Sequence, residues 1–132
     1  MKSFETKGRV LLVDDDADWI EITRALLSGL KVEFLTAKDG QEALSILQED
    51  EIDLAIIDTN MPRMNGVELL KILCAHFPRI PVIMFFSGLV GGLIGEEKLR
   101  EIGANVILEK SQAPTHLLPV VTEFLIDLEQ QE

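Results

Sequence analysis

The chain has 132 residues, 47% of them hydrophobic, which suits one domain with a substantial core. Its 23 acidic and 12 basic residues leave a formal net charge of -11, which argues against direct contact with nucleic acid or an anionic membrane. The single cysteine, Cys74, excludes an internal disulfide and points to a reducing compartment, and the absence of a long apolar span or a signal-peptide core leads us to expect a cytoplasmic protein without membrane insertion.

In chain order, the first apolar run covers residues 9–13 and stops at Asp14-Asp15-Asp16. A helical pattern follows, in which Trp19, Ile22, Ala25 and Leu26 share one face. Residues 32–36 form the second strand candidate. Asp39-Gly40-Gln41-Glu42 then resembles a capping box, with Asp39 as N-cap and Glu42 reaching back, and Ala43, Leu44 and Leu47 continue the helix. The third run, 54–57, ends in Asp58 and precedes a helix from about Asn65 with Val67, Leu70 and Cys74 inward. Cys74 reads as a buried small apolar residue. Residues 82–86 form the fourth strand candidate. Gly88, Gly91, Gly92 and Gly95 oppose helix formation by about 1 kcal/mol each relative to alanine. The fourth helix is therefore expected to start late, near Gly95 or Glu96, and to end near Ile102. After a strand at 106–108, a final helix carries Leu117, Val120, Val121, Phe124, Leu125 and Leu128 as one stripe. Thr115 is its expected N-cap, which would put Pro119 in the first turn.

Strict alternation of apolar strands and helices implies a parallel sheet with helices on both faces. Ligands in such sheets bind beyond the carboxyl ends of the strands, where Asp14, Asp15, Asp58, Ser87 and Lys110 all fall. Carboxylates gathered there repel one another and favour a cation. Read singly, each residue is unremarkable: a lone strand-end aspartate is usually a turn former or helix cap. Asp16 and Asp18 fit the N-terminus of a helix better than a metal. The Asp14-x-Asp16-x-Asp18 spacing fails as a calcium loop, because Trp19 and Ala25 stand where Gly and Glu are required. His76 and His116 read as surface or helix-end residues. Trp19 reads as packing near the acidic pocket, with a partner contact as the alternative.

Four signatures occur in order: Val13-Asp14-Asp15, Asp58-x-x-Met61-Pro62-x-Met64-x-Gly66, Ser87-Gly88 and Leu108-Glu109-Lys110. Together they resemble the receiver domains of bacterial two-component response regulators, over about Gly8 to Leu128. The resemblance implies a flavodoxin-like, doubly wound, five-stranded parallel sheet in the order 2-1-3-4-5. It implies one receiver domain across residues 1–132, with no effector domain in this chain. It makes Asp58 the phosphoacceptor, with Lys110 as fixed positive charge and Ser87 as hydrogen-bond donor to the phosphoryl group. It assigns Mg²⁺, with Mn²⁺ as an alternative, to Asp15, Asp58 and the Asn60 backbone carbonyl, and to Asp14 through a coordinated water. The implied partners are a histidine kinase or histidine phosphotransfer protein, then a downstream protein or a fused output domain. A homodimer through the face of helix four, strand five and helix five is compatible with it.

The chain departs from that pattern in places. Ser111 follows Lys110 where proline is usual, so the loop there is expected to be shaped differently. Ile107 replaces the common aromatic switch residue. Spacing leaves a one-residue ambiguity in the hydroxyl slot, resolved only because Ser87 is the residue there with a hydroxyl. Residues 88–95 are either a mobile loop or an apolar partner surface ordered on phosphorylation. Two other functions compete. One is an interaction module that has lost phosphorylation, against which the intact acidic set weighs. The other is an aspartyl-nucleophile phosphatase of the haloacid dehalogenase type. That enzyme needs an Asp where Asn60 stands, and a cap domain for which this chain has no room.

Overall fold

The computed structural model describes residues 8–59, 61, 64–86 and 95–130, with the side chains of 127–130 outside the description. The order is β1 (Arg9–Val13), α1 (Ala17–Leu26), β2 (Glu33–Ala37), α2 (Gly40–Glu49), β3 (Leu54–Asp58), α3 (Gly66–His76), β4 (Val82–Phe86), α4 (Glu96–Ile102), β5 (Val106–Glu109) and α5 (Ala113–Gln130). All strands pair in parallel, in the order β2-β1-β3-β4-β5. This is the doubly wound architecture expected from the sequence.

The sheet divides two apolar layers because side chains alternate along each strand. Leu11, Val13, Ala55, Ile57, Val82 and Met84 face the layer that holds α2, α3 and α4. Val10, Leu12, Leu54, Ile56, Ile83 and Phe85 face α1 and α5. Every residue of β3 is buried, as a central strand covered on both sides must be.

The strand boundaries move slightly. β2 begins and ends one residue later than expected, because pairing runs to Val13↔Ala37 and the Asp14 N–H then donates to the Ala37 carbonyl at 3.0 Å. β3 and β5 each gain a residue through the pairs Asp58↔Phe85 and Phe86↔Glu109.

Two helices need correction. In α1 the inward line is Ile20, Thr23 and Leu27, whereas Ile22 is 47% exposed and Ala25 is exposed. Asp16 caps the helix by accepting from the Asp18 and Trp19 N–H groups, and this start sets the phase. Trp19 and Leu26 lie half-buried at the edge of the buried line. In α5, Thr115 is not the N-cap. A short 3-10 turn, Lys110–Gln112, runs directly into the helix at Ala113, so Thr115 is already helical and donates its hydroxyl to the Gln112 carbonyl at 3.2 Å. Pro119 therefore lies inside the helix, on its exposed side, where water can serve the Thr115 carbonyl that proline cannot. Leu117, Val121 and Leu125 are buried as expected, and Val120 and Phe124 pack beside them.

The remaining helices begin as anticipated. Asp39 caps α2 by accepting from the Glu42 N–H at 2.9 Å, and the Glu42 carboxylate accepts from the Lys38 N–H at 3.0 Å. The short α4 starts at Glu96 with Gly95 as its N-cap and ends at Ile102. Residues 88–94 lie outside the described residues. In α3 the deepest side chains are Leu69, Leu70 and Leu73, while Val67 and Cys74 are half-buried. Burial still raises the Cys74 thiol pKa. Asn65 caps α3, accepting from the Glu68 N–H at 2.9 Å. Asn65→Ala should lower stability by about 1 kcal/mol, read as a shifted urea midpoint at unchanged slope.

Candidate functional site

At the carboxyl end of the sheet, β1 delivers Asp14 and Asp15, β3 delivers Asp58 as its last residue, and β5 delivers Lys110 just past its end. Carboxylate oxygens from Asp14, Asp15 and Asp58 lie within 4.8 Å of one another. Asp14 and Asp58 are buried and Asp15 is exposed, so the cluster is closed at its base and open to solvent.

The Lys110 ammonium lies 2.9 Å from Asp14 Oδ2 and 3.8 Å from Asp58 Oδ1, with its side chain 29% exposed. Asp14 Oδ1 accepts from the Asp16 N–H at 2.9 Å. Among the described residues, the buried Oδ2 has the Lys110 ammonium beside it and no other donor. Burial pushes the Asp14 carboxyl above its ordinary pKa. The Asp16 N–H and then Lys110 oppose this, and the charge of Asp15 adds to it. A divalent cation would answer each feature: a buried carboxylate with one lysine beside it, two further carboxylates in reach, and a net negative charge.

Among the site residues expected from the sequence, Asp14, Asp15, Asp58 and Lys110 are thus brought together. Asn60 and Ser87 lie outside the described residues. Asp16 and Asp18 serve α1 as cap and first-turn charge. His76 ends α3 and His116 lies exposed in α5, where its Nδ1 stands 2.7 Å from the Thr115 hydroxyl. Ile107 is buried.

Three contributors were not assigned these roles from sequence. Thr59 is buried, and both its N–H and its hydroxyl donate to the Phe85 carbonyl, at 3.0 and 2.6 Å, tying the end of β3 to β4. Gly66 lies on the same turn: its N–H donates to the Thr59 carbonyl at 3.1 Å, and a Cβ there would collide with the Asp58 carbonyl. Trp19 reaches from α1 to the Lys110 ammonium, which lies 5.0 Å from its ring centroid. Gly66 was visible as part of a motif and Trp19 as a residue near the pocket. The contacts themselves depend on which strands are neighbours.

The sequence matches the response regulator receiver domain family over residues 10–122. The chain belongs to that family. This receiver is 40% identical over 103 residues to the transcriptional regulatory protein CpxR of Escherichia coli, a match covering 78% of this chain and 43% of CpxR. It also matches protein RcaC of Microchaete diplosiphon, with 35% identity over 81 residues, covering 60% of this chain and 12% of that protein. The receiver therefore spans less than half the length of these curated relatives. Among solved structures, it resembles a CheY-like receiver domain protein from Methanospirillum hungatei, with TM-score 0.80, 27% identity, and coverage of 95% and 98% of the two chains. No helix among the described residues is long and apolar enough to cross a membrane.

Proposed function

We propose that this receiver accepts a phosphoryl group on Asp58 in a Mg²⁺-dependent reaction and thereby changes the surface it offers to partners. The observation that carries the proposal is the three-carboxylate cluster with a lysine ammonium between Asp14 and Asp58. A lone nucleophilic aspartate would need no such surroundings. An aspartate that must attack a dianionic phosphoryl donor needs positive charge held close to offset the repulsion.

The carboxylates of Asp15 and Asp58 would hold the cation directly and Asp14 through a coordinated water, joined by the Asn60 backbone carbonyl. Bound there, the cation supplies neutralisation of the phosphoryl oxygens. An Asp58 oxygen forms the new bond to phosphorus, the bond to the donor group breaks, and its electron pair leaves with the donor. Lys110 balances charge on the far side. The Ser87 hydroxyl then donates to a phosphoryl oxygen, and the loops carrying Ser87 and Lys110 follow. Hydrolysis of the acyl phosphate by water resets the domain.

The proposed donor is a histidine kinase or histidine phosphotransfer protein, acting in the cytoplasm. The proposed output is a downstream protein, a fused domain or a second copy meeting the face of α4, β5 and α5. Since Ile107 takes the place of an aromatic switch residue, transmission relies on backbone movement and packing.

Acetyl phosphate and Mg²⁺ should add one phosphoryl mass to the wild type and none to Asp58→Asn. Absence of the adduct, together with failure to bind a beryllofluoride mimic or Mg²⁺, would leave the phosphorylation-independent interaction module as the better reading.

A further inference from the structure

The lysine that faces the acid cluster sits on a flexible four-carbon stem, and its backbone lacks the rigid residue that would stiffen the turn. The 3-10 turn Lys110–Gln112 is held instead by the Glu109 N–H donating to Gln112 Oε1 at 2.9 Å, and Lys110 remains partly exposed. An ammonium so placed can swing towards water unless something opposes it.

Trp19 supplies that opposition. The ammonium lies 5.0 Å from the indole centroid, within the range in which a ring face attracts a cation. Two carboxylates therefore draw the ammonium while an aromatic face contacts it as well. The indole is itself fixed. It meets the Phe85 ring edge-on, with centroids 5.3 Å apart and planes at 90°. Phe85 is buried and pairs in register with Asp58, and its carbonyl anchors Thr59. The cavity bounded by Asp14, Trp19, Thr23, Asp58 and Phe85 measures about 10 Å³, at the lower limit for one water. The indole thus borders the small cavity beside the acid cluster while contacting the site's one cation among the described residues.

We propose that Trp19 is a positioning residue that holds the Lys110 ammonium at the acid cluster, so that it meets an incoming phosphoryl group already in place. The catalytic consequence rests on the phosphoryl-accepting reading given above, whereas the ring–ammonium contact stands by itself.

The test compares Trp19→Leu, which keeps apolar bulk against Phe85, with Trp19→Phe, which keeps an aromatic face. The first readout is the proton shift of the Lys110 ε-methylene in the metal-free protein. Ring current should displace it upfield in wild type and Trp19→Phe, and the displacement should vanish in Trp19→Leu. The second readout is the initial rate of Asp58 phosphorylation by acetyl phosphate at saturating Mg²⁺. Trp19→Leu should be about three- to tenfold slower, with Mg²⁺ affinity unchanged, and Trp19→Phe should stay within about twofold of wild type. A Lys110 shift that ignores Trp19→Leu overturns the proposal. So does equal slowing in both variants, which would mark a packing role only. If the wild type forms no adduct and binds neither beryllofluoride nor Mg²⁺, the phosphoryl-accepting reading fails and the positioning role fails with it, while the methylene shift still judges the contact.

Discussion

Gly66→Ala is expected to cost about 3 kcal/mol of folding stability and to weaken Mg²⁺ binding in whatever folded protein remains. A Cβ at this position would run into the Asp58 carbonyl and lie 2.8 Å from the Thr59 Cα, and both obstacles are backbone. Neither can rotate away as a side chain would. Relief requires moving the start of α3 off the end of β3, which breaks the Gly66 N–H bond to Thr59 and shifts Asp58, the proposed phosphoacceptor. Gly29→Ala is the control, since nothing lies within 4 Å of a Cβ there. Urea unfolding of both variants, each with and without Mg²⁺, decides the matter. Equal stability for the two would mean that α3 can shift cheaply.

Gly66 also shows where reading the chain stops. The strand ends and the acids on them are local features: an apolar run followed by aspartate needs no neighbour to be recognised, and Asp14, Asp15, Asp58 and Lys110 converge as anticipated. The late start of α4 was likewise legible, because glycine opposes helix formation wherever it stands. What could not be read was phase and partnership. The α1 stripe was misassigned because its cap, Asp16, fixes the rotation, and because buried Thr23 carries no strong hydrophobic signal. The start of α5 was misplaced because the turn after Lys110 is already helical in sense and flows into the helix. The Trp19–Lys110 contact joins residues far apart in sequence, and it depends on α1 and α5 packing together on one face of the sheet.

Asp14→Asn should do two opposite things: stabilise the metal-free receiver at neutral pH and abolish its stabilisation by Mg²⁺. Asn keeps the oxygen that accepts from the Asp16 N–H and removes a charge that the site buries. Burial is the largest influence on Asp14 and raises its folded pKa above 3.8. A group that binds its proton more tightly when folded makes the fold more stable when protonated. That contribution is fully present below 3.8 and is lost as pH rises through the folded value, so at pH 7 the ionised Asp14 is a liability. The wild type should therefore be less stable than Asp14→Asn by about 1–2 kcal/mol at pH 7 without divalent cations. The gap should close as the pH falls towards 3.8, and taking the difference between the two proteins cancels the titration of carboxylates remote from the cluster. Mg²⁺ at about 100 times its Kd should restore the wild type by about 2.7 kcal/mol and leave Asp14→Asn unmoved. If Asp14→Asn is instead the weaker protein at pH 7, the ion pair with Lys110 outweighs burial. The carboxylate would then be held by its lysine rather than kept, at a cost in stability, for a cation.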